Sequence, residues 1–276
     1  MGMRISTNVS ALTAQRTMTT SQREIQKSMS QLASGSRITK SADDAAGLAI
    51  SEGLKSQIRS YGQAARNAND GISMIQVAEG GLNEISNIMV RMRELGIQAS
   101  SDTIADRERS FLNKEVEQLK SEIQRITQTT KYGTTKLIDG SGDKFDFQVG
   151  IGNDDFADRI TYDAAATNAS IDNINVGDFD FSTKAGAQQA LTVIDEAQTT
   201  VNGFRAGLGA LQNRLQSTVD NTSIMFENLS AANARIRDTD VAQASAEMAR
   251  NNVLLQANAA VLAQANQVPN MAMKLI

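Results

Sequence analysis

Apolar residues recur along much of this chain at alternating intervals of three and four. From Leu54 the series Leu54, Ile58, Tyr61, Ala65, Ala68, Ile72, Ile75, Glu79 and Leu82 keeps that rhythm with one polar member, then continues with a shifted phase through Ile85, Met89 and Met92. On a 3.6-residue helix such a stripe faces one way, so it predicts a long amphipathic helix with a coiled-coil-like seam. The phase change after Leu82 predicts a local stutter or stammer. Leu112, Val116, Leu119, Ile123 and Ile126 predict a shorter second helix, with Asp106 or Thr103 as its cap and Tyr132-Gly133-Thr134-Thr135 as its end. The rhythm returns through Ala190, Ile194, Ala197, Val201, Phe204, Leu208, Leu211, Leu215, Thr218, Thr222, Met225, Leu229, Ala232 and Ile236. That series predicts a helix about 70 Å long at ~1.5 Å per residue.

Between these helices the period changes to two. Phe145, Phe147, Val149 and Ile151 alternate with Asp146, Gln148 and Gly150, Gly152-Asn153-Asp154-Asp155 is a turn cluster, and Arg159 to Tyr162 can return. This predicts a β-hairpin. Ile171 to Phe181 is a weaker β-like patch, and AAATNAS between them reads as loop. Both chain ends are apolar and helix-prone. The tail repeats Val241, Met248, Leu255 and Leu262 at intervals of seven beside a second row of Leu254, Val261 and Val268. The head has a looser pattern of Ile5, Val9, Leu12, Met18, Ile25, Met29 and Leu32, with Gly35 as its stop. The simplest closure is nested. Head pairs with tail (1–42 with 237–276), the long helices pair (43–140 with 186–236), and 141–185 forms a hairpin and short outward segment. The expected fold is mainly α: a long antiparallel coiled-coil-like helix bundle with a small β-hairpin region mid-chain.

Composition narrows the chemistry. There is one Pro, at position 269, so nothing before it breaks a helix as Pro does. Aromatic residues are 4% and Trp is absent, which suits thin helix-on-helix contacts. With no Cys, disulfides and thiolate metal sites are excluded. With no His, the commonest general base and metal ligand is missing too. Catalytic, cofactor and metal sites are therefore not expected. A net charge of −4 without a basic tract argues against nucleic acid, and no apolar run approaches the ~18 residues of a membrane span. MGMRISTNVSALTAQR lacks the apolar core of a cleaved signal peptide, so export would use another route.

Several segments then carry a family likeness. ISTNVSAL (5–12), LASGSRITKSADDAAGLAIS (32–51), QAARNANDGISMIQVAEGGLNEI (63–85) and VRMRELGIQAS (90–100) resemble the N-terminal part of bacterial flagellins. Residues 222–276 are similar to their C-terminal part. The likeness covers about 3–140 and 190–276, in the same order. It implies a structural subunit, exported unfolded by the flagellar type III apparatus, that polymerises into the extracellular helical filament of the swimming propeller. The terminal helices would form the inner layer (D0) and the long helices the next (D1). With only about 141–189 in the middle, this resembles a minimal form without large outer domains. The implied partners are other copies of the chain, an export chaperone at 236–276, the filament cap and hook-associated proteins, and the vertebrate receptor TLR5. Rival readings are a hook–filament junction protein and a generic coiled-coil adaptor.

Assembly explains an apolar tail. An isolated helix of this length with one apolar face is marginal in water, so residues 1–40 and 240–276 are expected to order when neighbouring copies cover a second apolar row. The residues expected at this terminal and inter-subunit packing are Ile5, Val9, Leu12, Ile25, Met29 and Leu32 of the head, with Val241, Met248, Leu254, Leu255, Val261 and Leu262 of the tail. The likeness further implies a TLR5-type surface at Arg91, Leu95 and Glu115. Ser41 or Asp43 reads as the cap of the helix that follows. The Asn-x-Ser/Thr sequons, three of them on expected helices, are given no role.

Overall fold

The computed structural model describes residues 8–274, and their side chains through Gln267. The elements are α1 (Val9–Ser34), α2 (Ala45–Ala99), α3 (Asp106–Thr129), β1 (Lys131–Tyr132), β2 (Thr135–Lys136), β3 (Lys144–Gln148), β4 (Arg159–Asp163), α4 (Lys184–Arg237) and α5 (Val241–Lys274). They fall into two compact units: one holds the residues up to Ile58 and those from Glu227 onward, the other Arg59–Phe226. Two of the apolar positions named above lie outside the described residues: Ile5 wholly, and Val268 in its side chain.

The Arg59–Phe226 unit holds the larger core. Its buried hydrophobic side chains on α2 are Ala64, Ala68, Ile72, Met74, Ile75, Ala78, Leu82, Ile85, Met89, Met92, Leu95 and Ala99. Ala78, not the half-exposed Glu79, fills the place between Ile75 and Leu82. Repeated three-residue steps therefore occur at Ile72–Ile75–Ala78 and at Met89–Met92–Leu95, not at Leu82. On α4 the buried seam is Ala187, Ala190, Ile194, Ala197, Val201, Leu208, Leu215 and Thr222, as the heptad reading predicts for all but Ala187. Past Thr222 the pattern stops matching burial: Ile224, Met225 and Phe226 are all exposed. Both α3 and α4 run antiparallel to α2. Arg91 pairs with Glu115 on α3, Arg93 pairs with Asp195 on α4, and Phe226 lies beside Gly62.

Two buried cations lock this unit, and neither is visible in an apolar pattern. The Arg109 guanidinium donates to the carbonyls of Ala99 and Ser101 at 2.8 Å each and pairs with Asp106. It thus satisfies free carbonyls at the C-terminus of α2, where a cation is favoured by the helix dipole. The Lys120 amine donates to the carbonyls of Gly177 (3.0 Å) and Phe179 (2.7 Å) and sits 4.4 Å from the Phe179 ring centre. It holds down segment 171–181, which is no strand. Val176 N bonds back to Ile171 O, Asn175 has φ 55°, and Ile174, Val176 and Phe181 are driven into the core. The apolar letters there report plugs, not a pleat.

The predicted hairpin is present: β3 pairs antiparallel with β4, Phe145 opposite Tyr162 and Phe147 opposite Ile160. Phe145 and Tyr162 stack at 6.1 Å, and the Tyr162 hydroxyl donates to Leu137 O. Asn67 donates to Gln148 O from α2, and the Phe147 ring lies so close to Gly71 that a Cβ there would meet it at 3.1 Å. A second, two-residue hairpin, β1–β2, turns at Gly133-Thr134, where only Gly133 has positive φ (61°). That is the signature of a Gly-x turn. Two caps differ from expectation. Asp44, not Ser41 or Asp43, accepts from Gly47 N at 2.8 Å, while Glu108 accepts from Ala105 N ahead of α3, where neither Asp106 nor Thr103 serves.

Candidate assembly surface

In the terminal unit α1 and α5 form an antiparallel pair. Asn8 caps α1 by accepting from Ala11 N and donates across to Ala265 O at 2.8 Å. At the other end Gly35, φ 68°, terminates α1 and accepts from Thr239 N at 3.0 Å. The seam between them has the three-four rhythm but not the residues an apolar reading selects. On α1 Ala14, Ser21 and Ser28 are buried, with Ala11, Met18, Ile25 and Leu32 half-buried between them. On α5 the inward positions are Ala244, Met248, Asn251, Leu255, Asn258, Leu262 and Ala265. Each helix alternates a large apolar residue with a small or polar one. Ser21, Ser28, Asn251 and Asn258 escaped the sequence reading because it followed apolar letters alone. Their spacing of seven was the available signal.

This seam sorts the expected packing residues into two groups. Ile25, Leu32, Met248, Leu255 and Leu262 face the partner helix. Val9, Leu12 and Met29 do not: they are 64%, 58% and 62% exposed. Val241 and Leu254, at 61% and 44%, also face outward, as do Val253 and Val261. The sorting has a geometric reason. Helix α1 enters the seam at Ala11, Ala14 and Ser28, which turns Val9, Leu12 and Met29 to the outer side. On α5 the two rows adjoin, and only one can face α1.

The breaks between α1 and α2 and between α4 and α5 are tied together. Arg37 N donates to Arg237 O at 2.6 Å, the Arg37 guanidinium donates to Ile236 O, and Arg237 pairs with Glu52. Ile38 is 2% exposed and anchors the crossing. The Asp43 carboxylate accepts from the backbone N–H groups of Lys40 and Thr39 and from the Thr39 hydroxyl, which lowers its pKa. The Arg237 hydrogen bond likewise lowers that of Glu52.

Of the expected receptor residues, the structure joins two. Arg91 and Glu115 are exposed and hydrogen-bonded at 2.9 Å, with Glu94 also on Arg91. Leu95 is 1% exposed and belongs to the core beneath them, so it offers no contact surface of its own. Among the described residues no group of three His, Cys, Asp or Glu side chains could hold a metal ion, and no helix is long and apolar enough to cross a membrane.

Comparison with known proteins places both ends of the chain. Residues 5–143 match the bacterial flagellin N-terminal helical region, and 191–276 match the C-terminal helical region. The chain is 43% identical over 274 residues to a flagellin of Halalkalibacterium halodurans, covering 99% of this chain and 100% of that one. It is 38% identical over 287 residues to a flagellar filament 33 kDa core protein of Treponema phagedenis, covering 99% of this chain and all of the relative. The crystal structure of Bacillus cereus flagellin superposes with a TM-score of 0.51 at 29% identity, covering 57% of this chain and 88% of that one.

Proposed function

The chain belongs to the bacterial flagellin family, and on that premise we propose that the outer faces of α1 and α5 join copies of it in the extracellular flagellar filament. The observation that supports this is the two-faced terminal pair. One row of α5 closes on α1, while Val253, Leu254 and Val261 of α5 and Val9, Leu12 and Met29 of α1 stay exposed. Exposed apolar rows on a surface pair mark an interaction site. A head-to-tail contact repeated by a screw operation gives an open filament, not a closed ring. Ile5 and Val241 extend the same packing set.

The seam supports ordering on assembly. Serine and asparagine at alternate inward positions leave the α1·α5 pair little apolar area of its own, so segments 1–40 and 240–276 order fully when neighbours cover the outer rows. Limited proteolysis of monomer and filament tests this. The tail is expected to be cut quickly in the monomer and slowly in the filament; equal resistance in both would sink the idea.

The layering follows the helix breaks: 1–42 with 237–276 as the inner layer, 43–140 with 186–236 as the next, and 141–185 as its hairpin and outward segment. The protein has no catalytic role. It travels unfolded through the flagellar type III apparatus, with an export chaperone on 236–276, and meets the filament cap and hook-associated proteins at its destination. Filament rotation then serves swimming. The exposed Arg91–Glu115 pair, supported from below by Leu95, is the TLR5-type surface. An Arg91→Asp variant is expected to keep its fold and lose receptor signalling, and full signalling by that variant would refute the assignment.

A further inference from the structure

Helical glycines in the Arg59–Phe226 unit, apart from Gly62 with its ordinary contact to Phe226, divide into two kinds. At Gly71, Gly81, Gly96 and Gly186 an added Cβ would press on packed neighbours, so internal contact requires glycine there. At Gly80 of α2 and at Gly203, Gly207 and Gly209 of α4 a Cβ would meet nothing within 4 Å. Nothing inside the unit explains these four. Glycine weakens a helix more than any residue but proline, so each loosens its helix with no packing return.

Gly80, Gly207 and Gly209 share one level, and Gly203 lies about one turn nearer Asp195. Arg93 lies against Asp195; thirteen residues back along α2 is Gly80, and thirteen forward along α4 is Leu208, between Gly207 and Gly209. The approach of Phe226 to Gly62 fits the same register. Two further features coincide there. The step Ile72–Ile75–Ala78, where the α2 seam slips phase, ends two residues before Gly80. On α4 the seam from Ala187 to Val201 is buried throughout, but beyond it Phe204 and Leu211 are only half-buried, between and beside the buried Leu208 and Leu215.

We infer that this glycine band is a compliant joint, a level at which α2 and α4 bend together inside the subunit. Helices bend where backbone propensity is weak and packing is thin; here the glycines weaken both helices near one height, and the α4 seam thins there while the α2 seam stays buried. In a filament, which the account above supplies, the joint lets one subunit structure fit neighbours at slightly different separations.

The test is amide hydrogen exchange on the full chain and on a G80A/G203A/G207A/G209A variant, followed by electron microscopy of filaments from each. In the native monomer, residues 78–82 and 203–210 are expected to exchange faster than the turns on either side. In the variant they slow by about fivefold per replaced glycine, and its filaments show a narrower spread of curvature. Exchange in the band as slow as in the flanking turns would overturn the joint, as would an unchanged curvature spread. The exchange arm uses monomer alone. A native chain that forms no filaments would refute the filament reading and leave the joint to be decided by exchange.

Discussion

Replacing Leu254 and Val261 by alanine separates the outer row of α5 from its seam. Both side chains point away from α1, being 44% and 55% exposed, and alanine is the best helix former, so α5 itself is not weakened. Complete burial of a Leu or Val side chain stabilises by about 1.5–3 kcal/mol. Roughly half of each remains to be covered, so neighbours gain about 1 kcal/mol from each, or ~2 kcal/mol together. At 1.4 kcal/mol per factor of ten this raises the concentration needed for polymerisation about thirtyfold. The assay is pelleting of filaments across a dilution series, with circular dichroism of the monomer as control. A critical concentration unchanged within a factor of two, at equal monomer helicity, would refute the claim that this row lies in the interface.

Lys120→Met removes the donor that satisfies the Gly177 and Phe179 carbonyls, and its side chain is only 7% exposed; two orphaned acceptors predict a loss of about 2–4 kcal/mol in urea unfolding. Gly71→Ala drives a Cβ to 3.1 Å from the Phe147 ring and should cost about 1–3 kcal/mol through overpacking of the β3–β4 hairpin, read by thermal unfolding. Asp43 titrates below its ordinary 3.8 because folded-state N–H and O–H donors hold it ionised. Its contribution to the α1–α2 crossing is therefore complete above that value and lost as pH falls through the lower folded one. Asp43→Asn should flatten this acid limb in an NMR titration of the Ile38 methyl signals.

The long helices were legible because burial along them follows a period that apolar letters mark, from Ala68 to Met92 and from Ala190 to Leu215. The β3–β4 hairpin was legible for the same reason at period two. Legibility failed wherever a position inside is not apolar. Ser21, Ser28, Asn251 and Asn258 carry the terminal seam, and a pattern of apolar letters passes them over while marking the outward Val9, Leu12 and Met29. Arg109 and Lys120 are buried because backbone carbonyls need donors, a demand set by tertiary placement and not by spacing. Segment 171–181 has strand-like letters but no partner strand, and Asn175 turns it instead. Of the receptor surface, the charges Arg91 and Glu115 were legible as a pair, but the depth of Leu95 was not, because the marked stripe ends at Met92, although Leu95 and Ala99 continue it at steps of three and four.

Electron microscopy of the purified full chain, concentrated with a precipitating salt beside a version truncated after Asp240, tests the central claim most directly. The account predicts filaments from the full chain and none from the truncated one, since the truncation removes α5 with both its seam and its outer row. Discrete dimers from both, or filaments from both, would contradict it.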